Sequence, residues 1–152
     1  MTRVAILYPL AVGSIAVLAT LLIHALPVSA ALKFLRHERQ AGRTGASFWN
    51  DFSIVTLTML FTLCAHLVEI GVWAVLFVWC GEFPALSTAY YHSAVNYTTL
   101  GYGDLIMTPA WKLLGPLEAA DGMLMFGVST AMIFALIQWL IQARFADLRE
   151  SA

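Results

Sequence analysis

Charge is scarce in this chain of 152 residues: 8 Lys and Arg with 9 Asp and Glu, together 11% of the sequence, against 61% hydrophobic residues. Water-soluble domains carry about 25% charged residues, so too few remain here to cover a solvated surface. The apolar excess, a mean hydropathy of +0.80, excludes disorder as well. A net charge of −1 without a basic cluster beyond one short segment argues against a nucleic-acid partner. Cysteine is also scarce. Cys64 and Cys80 lie within apolar sequence, form no disulfide framework or metal spacing, and read as packing residues. No nucleophile–base pair, phosphate loop or His/Cys metal spacing is visible, so neither an enzyme nor a cofactor is expected. No helix repeats arginine in the manner of a voltage sensor. What remains is a small integral membrane protein with lipid as its solvent.

The gaps between charges map its organisation. No Asp, Glu, Lys or Arg occurs from Val4 to Leu32, and only Glu69 interrupts the run between Asp51 and Glu82. A third run lies between Asp121 and Arg144. A bilayer core of about 30 Å needs about 20 helical residues. Three spanning helices are therefore expected: a peripheral one within 1–32, an outer one at 51–80, and an inner one at 109–143 that starts at the N-cap-like pair Thr108-Pro109. Val28-Ser29-Ala30 resembles a signal-peptide cleavage site, but the apolar run before it exceeds a usual signal core, which favours a retained helix. Residues 33–50 form a basic loop and 144–152 a tail. Lys33, Arg36, Arg39, Arg43, Arg144 and Arg149 stand on one side against Arg3 and Lys112 on the other. The positive-inside rule then puts the loop and C-terminus in the cytoplasm and the N-terminus outside a cell inner membrane.

A fourth uncharged stretch, Phe83–Gly103, does not fit a lipid-facing span. It holds Ser87, Thr88, Tyr90, Tyr91, His92, Ser93, Asn96, Tyr97, Thr98 and Thr99, then Gly-Tyr-Gly. Lipid cannot satisfy so many polar groups, and such a segment survives at membrane depth only inside protein or against a wet cavity. It reads as re-entrant: a short helix at 84–98 and an irregular return at 99–103. Gly101 and Gly103 reach backbone angles closed to other residues. Alternating them with ordinary residues turns successive carbonyls to one side, and a ring of such rows can replace the water shell of a cation. One chain supplies one row, so four chains around an axis are required. The short helix aims its negative C-terminal end at the cavity.

Thr98-Thr99-Leu100-Gly101-Tyr102-Gly103-Asp104 closely resembles the potassium-channel filter signature Thr-Val-Gly-Tyr-Gly-Asp, with Leu100 in the valine position. The resemblance covers about residues 50–143 and implies an all-α homotetramer that passes K+ passively through backbone carbonyls. By the resemblance, Thr99, Leu100, Gly101, Tyr102 and Gly103 line the ion path, with K+ held at Thr99 to Tyr102. Thr98, Tyr91 and Asp104 support the filter and its mouth. Val95 stands where some bacterial potassium channels carry a glutamate, which leaves Tyr91 as the donor to Asp104. Gly122 and Gly127 resemble the glycines of a gating hinge. A partner outside the chain would supply any gating input that the chain lacks. Two other readings stay open: a weakly selective cation channel loosened by Leu100, and a non-conducting structural subunit. Reversal potentials separate the first, and liposome flux the second.

His66 and Glu69 share one face of the outer helix, and Glu118 and Asp121 one face of the inner helix. Ionisable groups at membrane depth are costly and face protein or water. They are expected to form either a titratable network behind the filter or a static hydrogen-bonded one. His24 reads as a partnered or interfacial histidine rather than a ligand, and Trp73, Trp79 and Trp111 as interfacial or packing residues.

Overall fold

The computed structural model describes residues 6–40 and 47–150, without the side chains of Arg39 and residues 146–150. The described residues are all-helical: α1 (Leu7–Gln40), α2 (Phe48–Trp79), α3 (Leu86–Tyr97) and α4 (Leu114–Glu150). Three stretches are long and apolar enough to cross a membrane: Leu7–Glu38, Phe48–Trp79 and Leu114–Phe145. This is a multi-pass, all-α membrane protein. Of the charges used for orientation, Arg3 and Arg43 lie outside the described residues, as do the side chains of Arg39 and Arg149.

Several boundaries differ from the sequence expectation, each for a local reason. α1 runs through Lys33 and Arg36 to Gln40, because nothing in that segment breaks a helix once Pro27 has been accommodated. α2 begins at Phe48 and ends in a Schellman motif. The Gly81 amide donates to the Val78 carbonyl at 3.0 Å and the Glu82 amide to the Phe77 carbonyl at 3.0 Å. That motif needs the left-handed φ of +75° at Gly81. α3 is shorter at both ends than 84–98, since Ala85 is still extended at its N-cap. α4 starts at Leu114 rather than Pro109. Thr108 does not cap it: its amide and hydroxyl donate to the Glu82 carboxylate at 2.7 and 2.5 Å. Pro116 falls in the first turn of α4, where its missing N–H costs nothing.

The chain divides into two compact units. The first comprises Met1–His24 and His66–Phe126, the second Ala25–Ala65 and Gly127–Ala152. The core of the first is built on Trp73, Phe77, Tyr97, Leu114 and Met125, all essentially inaccessible. Trp73 is thus a core residue, whereas Trp79 is exposed. Ile54, Leu136 and Leu140 form the small core of the second. Large apolar side chains such as Leu22, Leu57, Phe61 and Phe134 face outward along all three long helices, as lipid requires.

Candidate functional site: the pore loop and its buried support

The segment after α3 has an alternating backbone. Thr99, Gly101 and Gly103 have φ of 60°, 62° and 73°, and these are left-handed angles, while Leu100 and Tyr102 stay on the ordinary side. Thr99 is the only non-glycine residue at positive φ among the described residues. A β-branched side chain there stores strain on the order of 1–2 kcal/mol. Hydrogen bonds back to α3 hold the loop in place. The Thr98 amide donates to the Ala94 carbonyl (3.2 Å), Thr99 to Asn96 (2.8 Å) and Gly101 to Val95 (3.2 Å). Thr98 Oγ1 adds a bond to the Ala94 carbonyl at 2.7 Å.

The Tyr91 hydroxyl donates to Asp104 Oδ2 at 2.8 Å, which joins α3 to the residue that follows the loop. Donation to this carboxylate raises the Tyr91 phenol above its ordinary range, so it stays protonated and keeps donating. His92 is buried against Phe77 and Phe83 and accepts from Asn96 Nδ2 at its Nε2, 2.9 Å away. A hollow of about 340 Å³ lies beside the loop, lined among others by His92, Asn96, Thr99, Gly101 and Gly115.

The membrane-depth ionisable residues resolve into three carboxylates, each with partners from other helices. Glu69, fully buried, accepts from the Tyr97 hydroxyl and pairs with His24 Nδ1 at 2.9 Å and His66 Nδ1 at 3.2 Å. Asp121 Oδ2 accepts from Thr20 Oγ1 at 2.8 Å and Trp73 Nε1 at 2.9 Å. Glu118 Oε1 accepts from Ser93, whose hydroxyl also reaches the Ile70 carbonyl at 2.8 Å. Glu118 Oε2 and Asp121 Oδ1 are buried and make no hydrogen bond among the described residues. Sequence reasoning had the carboxylates and His66 but not Thr20, Ser93, Trp73 and Tyr97 as their partners, nor His24 as a member. The signal was present in α1, where Thr20 and His24 stand one turn apart within the charge-free part of the helix.

The two inner-helix glycines differ. A Cβ on Gly122 would collide with the Tyr97 carbonyl, so α4 and the end of α3 touch backbone to backbone there. Gly127 has open space around its missing Cβ.

Residues 64–138, close to half the chain, match the family model described as Ion channel, the two-helix pore-loop type. The match covers the second half of α2, all of α3 and the loop, and most of α4. The match supports an ion-conducting channel, and the three apolar helices fit an additional N-terminal membrane helix ahead of the matched region. No curated protein and no solved structure was found to match the chain.

Proposed function

We propose that the channel is selective for potassium and works as a homotetramer in the cell inner membrane, with its N-terminus outside and its C-terminus in the cytoplasm. The observation that carries this reading is the left-handed backbone at Thr99, Gly101 and Gly103, alternating with Leu100 and Tyr102. Such alternation turns successive carbonyls toward one side, and four such rows replace the hydration shell of a cation of fitting size. The Thr99 hydroxyl adds a ligand below them. Exposure in the single chain supports the tetramer: Leu100 and Tyr102 are 55% and 65% accessible, which suits side chains covered by neighbouring copies. The C-terminal end of α3 adds negative potential at the entrance to the loop. Asp104, held by Tyr91, gathers cations at the outer mouth. The hinge role falls to Gly127, because the lost Cβ of Gly122 is already used by the contact with Tyr97.

The test is the reversal potential of purified protein in liposomes under opposed K+ and Na+ gradients. A value near the K+ equilibrium potential, with block by Ba2+, is expected. An intermediate value would assign weak selectivity to a filter with leucine in place of valine. Absence of flux from a stable homotetramer would overturn conduction by this chain alone.

A further inference from the structure

His24, His66 and Glu69 form a second constellation, apart from the loop. One ligand atom from each lies within 4.8 Å of the others, and all three residues are buried. Both imidazoles present Nδ1, and they do so to the two different oxygens of one carboxylate: His24 to Oε1 at 2.9 Å and His66 to Oε2 at 3.2 Å. The Tyr97 hydroxyl lies on the same side, donating to Glu69 and 3.1 Å from His66 Nδ1. The four donors come from three helices: His24 from α1, His66 and Glu69 one turn apart on α2, and Tyr97 from the last turn of α3.

We propose that these residues form a binding site for a divalent transition-metal ion of the zinc class. Imidazole and carboxylate ligands suit such ions, whereas Mg2+ and Ca2+ prefer all-oxygen shells. Tetrahedral Zn2+ with ligands at about 2.0–2.1 Å puts neighbouring ligand atoms somewhat over 3 Å apart. Here one ligand atom from each of the three residues lies within 4.8 Å of the others, with the two imidazoles 2.9 and 3.2 Å from the carboxylate, so modest side-chain shifts reach that spacing. His66 and Glu69, at i and i+3 on one helix, share a face as the Glu-x-x-His pairs of metal-binding bundles do, in the reverse order. Phe126 closes the site, its ring centroid 4.4 Å from that of His66 and 5.6 Å from that of Tyr97. The ion would clamp α1 to α2 and α3, taking the extra helix into the pore module. This proposal is independent of which ion permeates, and no flux enters its readout.

Tag-free protein in detergent, loaded with Co2+ and dialysed, tests it. One Co2+ per chain with the visible absorption of tetrahedral coordination is expected, lost on adding Zn2+. X-ray absorption of the Zn2+ form should give nitrogen and oxygen neighbours at about 2.0 Å with two imidazoles. His24→Gln and His66→Gln should each weaken retention at least about tenfold, by analogy with the loss of shell partners. His37→Gln, at an exposed histidine, should leave it unchanged. Wild-type protein that retains no metal would overturn the proposal, as would both cluster variants retaining it fully. Should a variant fail to assemble, the wild-type spectrum and imidazole count decide.

Discussion

Thr20 and Thr58 are both buried threonines in long apolar helices, and their hydroxyls are satisfied in different ways. Thr58 Oγ1 donates to the Ile54 carbonyl one turn back at 2.8 Å, and Thr62 does the same to Thr58. Thr20 Oγ1 reaches the Val17 carbonyl but also Asp121, 101 positions away. The pattern extends to the units that contain them. In the second unit the buried threonines close on their own helix. In the first, Glu69, Glu118 and Asp121 bond to side chains of other helices. Local bonds satisfy a polar group without specifying neighbours. Long-range bonds fix which helix faces meet, because a slipped helix would leave a carboxylate unpaired in lipid. The unit that holds the loop after α3 is thus built on specific polar contacts between helices.

The largest effect expected from breaking that unit is at the loop. Gly101→Ala puts a side chain at a φ of +62°, where L residues other than glycine pay on the order of 1–2 kcal/mol. It also tilts the carbonyl row. K+ flux in liposomes should fall to the level of protein-free vesicles while the protein still assembles. Retained K+-selective flux in this variant would overturn the role of the alternating backbone.

Gly122 and Gly127, on the same helix but in different units, sharpen the comparison next. Gly122→Ala forces a methyl into the Tyr97 carbonyl, and overpacking of this kind costs about 1–3 kcal/mol. Gly127→Ala meets open space within the chain and gains helix propensity of up to about 1 kcal/mol. Unfolding free energies in mixed micelles should therefore change in opposite directions. Equal losses would show that Gly127 is also a close-approach residue, and would remove it as the hinge.

The same substitution at the two threonines separates local from long-range satisfaction. Thr20→Val removes a donor from Asp121 and should cost about 1 kcal/mol, within the range found for interhelical bonds in membranes. Thr58→Val removes a bond that only its own helix receives and should change stability by less than about 0.5 kcal/mol. Comparable costs at both positions would erase the distinction between the units.

How much of this was legible in the sequence follows from the same distinction. The irregular segment after α3 was legible because its chemistry is contiguous: Thr98 to Asp104 carries its glycines and its polar neighbours in one stretch. The spans were legible as charge-free runs, and Glu69, Glu118 and Asp121 as charges that lipid would not tolerate. Their partners were not legible. His24 is 45 positions from Glu69, and no pattern in one sequence says which faces of α1 and α2 meet. For the same reason a His/His/Glu cluster escaped a search for metal spacing. The start of α4 was misplaced because Thr108 looks like a cap, and only the fold brings Glu82 to it. Gly122 shows a related limit, since a hinge glycine and a close-approach glycine are identical as letters.

The smallest effect is expected at the ion pair of the second unit. Arg144 Nη2 lies 2.9 Å from Asp51 Oδ2, with the two side chains 40% and 14% exposed. Pairs this open typically contribute about 0–1 kcal/mol, because water and salt screen them and ordering a long arginine costs entropy. Asp51 also sits in the first turn of α2, where the helix dipole stabilises a carboxylate whether or not arginine is present. Arg144→Gln should therefore cost no more than about 0.5–1 kcal/mol, and added salt should shrink the difference. The unfolding free energy of variant and parent in mixed micelles, at low and high salt, measures it. A salt-independent loss above about 2 kcal/mol would mean that the second unit, too, depends on a long-range polar contact, and that the contrast drawn from Thr20 and Thr58 does not extend beyond those residues.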